Sequence, residues 1–339
     1  MIVNTKIFGT GGGVDTSQDT VTASTLAAGV TAHDSNGSRI TGNAGLFTFT
    51  TSGVFKYPPV VNVPNTVTTL TATTTGLYSH NEIEEIIFES GSNIVYLPQN
   101  VFANNGNLEQ ITMPDTTTII LQGQACSGDI KLETINLSQS QTLKITGANN
   151  FYRCYVLTQA SFEDILNHLD STETKIYSGT FQECKAITSV ETPSQITTID
   201  GNAFSGCVSL EAAELTYVTQ VGAGIFSGCT SLETLVYGAI LNSNSTAYIN
   251  HTSGSNPVYG CTALKDVQIP SGWTENMRLS DGGANWTNVL TYDSMVAMIA
   301  NLFDYSSGTT HTLTLGATNL ARLSASEIAV ATNKNWTLV

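Results

Sequence analysis

At 339 residues, with 41% hydrophobic and only 12% charged side chains, the chain is long enough for a large core with appended modules; its 12 Lys and Arg against 27 Asp and Glu leave a net charge of −15. This balance argues against nucleic acid and anionic membrane as partners, because affinity for both grows with Lys and Arg contacts. No apolar run approaches the roughly 18 residues needed to cross a bilayer, and the opening MIVNTKIFGTGGG lacks the apolar stretch and cleavage site of a secretory signal, so a start inside the cell is expected.

In residues 1–45, the segment DTVTASTLAAGVTAHDSNGSRITGN begins at Asp19. Thr22 or Ser24 can cap a short helix, Gly29 ends it, and a strand pair turns at Asn36-Gly37. The segment resembles a short module of bacteriophage tail and receptor-binding proteins, which implies attachment of this end to a particle; a small β-hairpin cap is the other reading. Residues 46–82, including TVTTLTATTTG, are β-branched, Gly-punctuated and almost uncharged, and read as a few strands or an extended connector.

Residues 83–270 carry an internal repeat and most of the acidity, since residues 46–285 hold 21 acids against 8 bases. An aromatic or thiol, a small turn, a Cys and a Leu recur, most clearly in AFSGCVSLE and IFSGCTSLE. Phe102, Cys126, Phe151, Phe181, Phe204, Phe226 and Val258 fall in register at intervals of 24, 25, 30, 23, 22 and 32 residues. Three places on stand Asn105, Asp129, Cys154, Cys184, Cys207, Cys229 and Cys261, and three further Leu108, Leu132, Leu157, Ile187, Leu210, Leu232 and Leu264. Each of these last opens an alternating segment, LEQITMP, LETINL, LTQASF, ITSVETP, LEAAEL, LETLVY or LKDVQIP, as a strand with one buried face must. An earlier copy, IEEIIF from Ile83 to Phe88, lacks the Cys phrase and is expected to start the stack. One copy cannot bury its apolar edge alone, so the period predicts a solenoid with parallel strands on one face. The two long intervals mark insertions near FEDILNHLDSTET and NSNSTAYINHTSGSN, and long loops in a regular array tend to be functional.

Phrase, strand and period together resemble the BspA-like leucine-rich repeat family. Cys126 stands where that family has an aromatic, and Asn105 and Asp129 where it has Cys, so those copies are expected to be less regular. The resemblance implies an α/β-type repeat solenoid with a β-rich N-terminal module and an α/β C-terminal cap. Leucine-rich repeats of known function usually bind through the strand face. Its outward places here are Gln110, Thr112, Thr134, Asn136, Gln159, Ser161, Ser189, Glu191, Glu214, Thr234, Val236, Asp266 and Gln268, and all but Val236 make up the candidate receptor site. An ordinary solvated face is the competing reading. Five of the six Cys share one repeat position and no CxxC occurs, so reduced core thiols are expected and a zinc site of the usual spacing is excluded. Rungs about 4.8 Å apart would also admit a Cys207–Cys229 disulfide.

Residues 271–288, with GWTENMRLSDGGANW, read as a polar linker. In residues 289–339, Leu290–Asp304 has a Thr291 cap and Met295, Val296, Met298, Ile299 and Leu302 at helical spacing. HTLTLG then gives a strand, LSASEIAVATNKN a helix with a capping box from Ser324 to Glu327, and WTLV a final strand. This stretch should cover the open end of the array. It resembles a closing segment of gut phage structural proteins and of BspA-like proteins from gut bacteria.

Little frames catalysis. His33, His80, His168, His251 and His311 are scattered, with no HExxH, nucleophile elbow, P-loop or dinucleotide fingerprint, so no cofactor or metal is expected. Glu191 and Glu214, on successive rungs, are a carboxylate pair of the kind a glycosidase needs. The resemblances imply a non-catalytic adsorption protein in the tail of a phage or phage-derived particle, made in the host cytoplasm and released by lysis. Its partners would be a bacterial surface polysaccharide or protein and, through residues 1–45, other tail proteins; a homotrimer fits, since phage fibres are often trimers. A bacterial BspA-like surface adhesin is the alternative, and a phage depolymerase the second alternative.

Overall fold

The computed structural model describes residues 31–33, 39–41, 60–70, 77–239, 241, 249–280, 283–287, 289–306 and 308–339, and the chain divides into two compact units, residues 1–146 and 147–339. The helix expected from Thr22 or Ser24 to Gly29, the end of TVTTLTATTTG and the NSNSTAY part of the second insertion lie outside the described residues.

In the first unit, β1 (Thr31–His33) and β2 (Arg39–Thr41) pair antiparallel on either side of Asn36-Gly37, Ala32 opposite Ile40. Two rows of parallel strands follow. One is β3 (Val60–Val63), β4 (Glu85–Phe88), β6 (Gln110–Thr112) and β8 (Thr134–Asn136); the other is β5 (Tyr96–Leu97), β7 (Thr118–Gln122) and β9 (Thr142–Thr146). The stack therefore begins one rung before the expected start, because Val61 pairs with Ile86. The Ile83 copy also has its own turn phrase, in which Leu77 and His80 take the places of Phe102 and Asn105. Asn105 Nδ2 donates to Leu77 O at 2.6 Å, while its Oδ1 accepts the His80 N–H at 2.6 Å.

The repeat spacing has a backbone cause. Two places after the aromatic, Asn104, Gly128, Arg153, Glu183, Gly206, Gly228 and Gly260 all take positive φ, between 60° and 85°. This left-handed step tightens the chain so that Cys207 N–H reaches Phe204 O at 3.2 Å and Leu210 N–H reaches Cys207 O at 3.1 Å. Two successive three-residue closures thus set the aromatic, Cys and Leu on one side, all fully buried.

In the second unit, the inner row is β11 (Ser189–Glu191), β13 (Ala212–Leu215), β15 (Thr234–Tyr237) and β16 (Asp266–Gln268), and the other row β10 (Lys175–Ile176), β12 (Thr198–Ile199) and β14 (Gln220–Val221). Between the rows the phenyl rings stack, Phe151 on Phe181 at 5.4 Å, Phe181 on Phe204 at 5.6 Å and Phe204 on Phe226 at 5.7 Å. The thiols run beside them. Cys184, Cys207, Cys229 and Cys261 donate to the carbonyls of Phe151, Phe181, Phe204 and Phe226, one copy back, at 3.1, 3.2, 3.1 and 3.1 Å. All six Cys are buried thiols outside any disulfide, so Cys207 and Cys229 are not bridged.

LTQASF is not the strand its alternation suggests. It opens α1 (Gln159–Asn167), where Thr158 caps by accepting the Ser161 N–H at 3.2 Å, and Phe162, Ile165 and Leu166 are buried at helical spacing. Those later apolar residues outweigh an alternation that fits only a few places. The first long interval is therefore this helix and the turn after it, rather than an irregular loop. The motif returns in α2 (Tyr292–Asn301), where Thr291 accepts the Ser294 N–H at 3.2 Å and Met295, Met298 and Ile299 are buried. The stretch read as a linker is also structured: Trp273 is fully buried, and β17 (Met277–Arg278) joins β18 (His311–Thr314) and β19 (Trp336–Leu338) in a parallel sheet. A short α3 (Ala317–Leu320) and α4 (Ala325–Asn333), with the expected Ser324–Glu327 capping box, complete the C-terminal segment.

Candidate functional site

The second unit brings most of the expected strand-face residues together on one sheet. Register places Ser189 beside Ala212, Ala212 beside Thr234 and Thr234 beside Asp266; the next column runs Glu191, Glu214, Val236 and Gln268. Alternation sends Val190, Ala213, Leu235 and Val267 into the core and leaves these columns half-buried or exposed. Glu191 and Glu214 are paired, exposed carboxylates on neighbouring strands, and Gln268 Nε2 donates to Asp266 Oδ2 at 3.0 Å.

Gln159 and Ser161 do not belong to the face. Ser161 is buried in the first turn of α1. Gln159 instead closes the sheet edge: its Oε1 accepts Thr188 N–H at 2.8 Å and Ser189 N–H at 3.3 Å, and its Nε2 donates to Ser189 O at 3.0 Å. A side-chain amide here stands in for the backbone amide of a missing strand. The opposite edge is closed in the same manner, since Ser294 Oγ accepts Val267 N–H at 2.9 Å and donates to Val267 O at 3.0 Å, while Thr291 N–H donates to Lys265 O at 2.7 Å. Helices α1 and α2 thus bracket the sheet and satisfy the backbone groups that an edge leaves open.

Beyond β16, Thr234, Asp266, Gln268, Asp293, Met298 and Asn301 line a groove of about 620 Å³ against α2, a volume suited to a small ligand. Asp293 and Asn301 went unnoticed in the sequence; the recurrence of Leu-Thr-x-x-Ser at Leu157 and Leu290 was the signal that would have placed α2 against the strand row. Ala212 was also missed, as a small residue on an otherwise polar column.

In the first unit, Glu85, Gln110 and Thr134 form one column across successive strands, and Ile87, Thr112 and Asn136 the next. Gln110 Nε2 donates to Glu85 Oε1 at 2.9 Å and Asn136 Nδ2 to Thr112 Oγ1 at 3.3 Å, so part of this face's polarity is already engaged. The same unit contains the departures from the repeat. Asp129 is fully buried, its Oδ1 accepting Asn105 N–H at 2.8 Å and its Oδ2 without a hydrogen-bond partner; burial pushes the carboxyl well above the usual range. Among the described residues, no group of three His, Cys, Asp or Glu could hold a metal ion, and no helix is long and apolar enough to cross a membrane.

The BspA type leucine rich repeat region matches this chain in six copies, over residues 57–158 and 160–278. The chain belongs to the BspA-type leucine-rich repeat family. The match takes in β3 and β17, which fall in the stretches read as connector and linker. Among solved structures, this BspA-type chain is similar to a leucine-rich repeat protein of T. pallidum at 22% identity, over 51% of this chain and 71% of that one, with a TM-score of 0.38. It is similar also to a leucine-rich repeat protein of Bacteroides ovatus, at 16% identity over 62% and 68% of the two chains with a TM-score of 0.36. For the pneumococcal vaccine antigen PcpA the values are 14% identity, 86% and 81%, and 0.29. No curated protein matches the chain.

Proposed function

We propose that this chain is a non-catalytic recognition protein that binds a bacterial surface polysaccharide or protein through the four-stranded face of its second unit and the groove beside α2. One observation carries the reading: both edges of that sheet are occupied by helix side chains, so its polar face is what it offers a ligand. On that face Glu191, Glu214, Asp266 and Gln268 supply acceptors and one amide donor at strand spacing, suited to the hydroxyl groups of a sugar or the amides of a peptide.

The setting we favour is the tail of a phage or phage-derived particle, supported by the likeness of the Asp19–Asn43 segment to phage proteins; the TLTLGATNL segment resembles both phage proteins and BspA-like proteins of gut bacteria. A bacterial surface adhesin is the second reading, supported by the family match over residues 57–278. The test uses the full chain on whole bacteria and isolated walls, comparing wild type with a combined Glu214→Ala, Asp266→Ala and Gln268→Ala variant. Binding should fall at least tenfold with an unchanged unfolding midpoint. Undiminished binding would sink the face as the receptor site, and recovery with tail proteins or in a cell-surface fraction distinguishes the two settings.

A further inference from the structure

The clear copies of the turn phrase read Phe-Ser-Gly-Cys, with glycine in the left-handed position, as at Gly206 and Gly228. Two adjacent copies abandon this economy. FYRCY puts Arg153 there at φ 63° and FQECK puts Glu183 there at φ 60°, a conformation that side chains bearing a Cβ adopt only against a steric penalty. Backbone strain kept where the neighbouring copies avoid it points to a use for the side chains.

What those side chains build is a small mosaic across two rungs. Arg153 Nε meets Glu183 Oε1 at 3.4 Å, linking the rungs, and the Arg153 guanidinium lies 4.9 Å from the centre of the Tyr152 ring. Lys185 Nζ sits 3.9 Å from the centre of the Tyr155 ring. Both cations are exposed and both rings half-exposed. Two cation–ring contacts thus lie on adjacent rungs, in a chain that carries 12 bases against 27 acids. Glu183 hydrogen-bonds Arg153 at Nε. Arg153 makes no further side-chain hydrogen bond and Lys185 no ion pair among the described residues.

We propose that Tyr152, Arg153, Tyr155 and Lys185 form a second binding site, separate from the strand face, for a sugar bearing a single carboxylate or phosphate group. The guanidinium fork and the ammonium hold the anion, bidentate at Arg153, and the tyrosine rings take the C–H face of the pyranose. A single anion is the fitting charge, because a long polyanion would meet the chain's net −15, whereas one group meets only the local excess of cations.

The experiment is a ligand-observed NMR titration of the full chain with sialyllactose against lactose, and with glucose 6-phosphate against glucose. At least one charged sugar should bind tenfold or more tightly than its neutral parent, and which one does so names the anion as carboxylate or phosphate. Arg153→Gly, which restores the residue of the clear copies, should weaken that binding at least tenfold while leaving the thermal midpoint unchanged or raised, and Lys185→Thr should weaken it severalfold. Equal affinity for charged and neutral sugars would overturn the proposal, as would Arg153→Gly binding like wild type. A midpoint lowered by Arg153→Gly, with binding at the wild-type level in the fraction still folded, would show that Arg153 serves the fold alone.

Discussion

Asp129 occupies a repeat position that Cys fills in five other copies, and it sits there fully buried with one oxygen unpartnered. Desolvation raises its pKa well above normal, and only the Asn105 N–H works against that. The folded state therefore holds the proton more tightly than the unfolded chain. Below about pH 4 both states are protonated; as pH rises past the unfolded value the unfolded chain ionises first and stability is lost until the folded carboxyl also ionises. Asp129→Asn keeps an acceptor for Asn105 and removes the charge. Urea unfolding should show it more stable than wild type by about 1–3 kcal/mol at pH 7 and nearly equal at pH 4; the same difference at both pH values would contradict this account. The thiols give a second residue-scale expectation. Burial pushes Cys229 up to about 12 and Cys184, Cys207 and Cys261 well above their usual value. Raised folded pKa values mean stability that is fully present below about pH 9 and lost as pH climbs above it. A thiol reagent should count six groups in denaturant and almost none quickly in the native chain; a denatured count of four would indicate a bridge.

Elements differ in how openly the sequence announces them. One strand row in each unit was legible because apolar residues alternate after each Leu, and the turns because Cys and Leu repeat at three-residue steps; the other row was not, since four of its six strands, β5, β10, β12 and β14, are only two residues long. Helix α1 was not: Leu157 to Phe162 alternates as well as any strand, and the deciding residues, Ile165, Leu166 and Leu169, lie beyond it. A strand at β3 agrees with the reading of residues 46–82 as a few strands, but its place as a rung of the stack was not legible, because VVNV is four residues long with no turn phrase before it. Trp273 and Met277 were read as linker because their neighbours are polar, although both are buried. At the candidate site the strand columns were readable and the helix contributions were not, since a side chain that imitates a strand leaves no periodic mark. The edge seals can be tested directly. Gln159→Ala or Ser294→Ala leaves strand backbone groups without partners and should cost about 1–3 kcal/mol, whereas Glu214→Gln on the open face should stay within about 0.5 kcal/mol. Leu210→Ala, in the core beneath that face, should cost about 2–5 kcal/mol. Equal costs for Leu210 and Glu214 would mean that the register is wrong.

At the scale of the whole molecule, charge is the property that reaches furthest. With −15 overall, approach to an anionic wall is opposed at low ionic strength and screened at about 0.15 M. Whole-cell binding through the acidic strand face should thus weaken little, or strengthen, as salt rises to physiological levels, a titration that a plate-binding assay can follow; a steep loss would mean that cations, not the acidic face, dominate.

The paired closures at Gln159 and Ser294 have a consequence for how such a chain can change over time. Within the row each strand pairs only with its two neighbours, and the side chains of Gln159 and Ser294 reach only the outermost strands. Duplicating or deleting a copy of 22 or 23 residues would leave both ends sealed and every remaining strand pairing of the same kind. The width of the recognition surface can therefore vary in whole steps of about 4.8 Å. Copy number, independent of any point substitution, becomes an inheritable setting for the extent of the face proposed to bind.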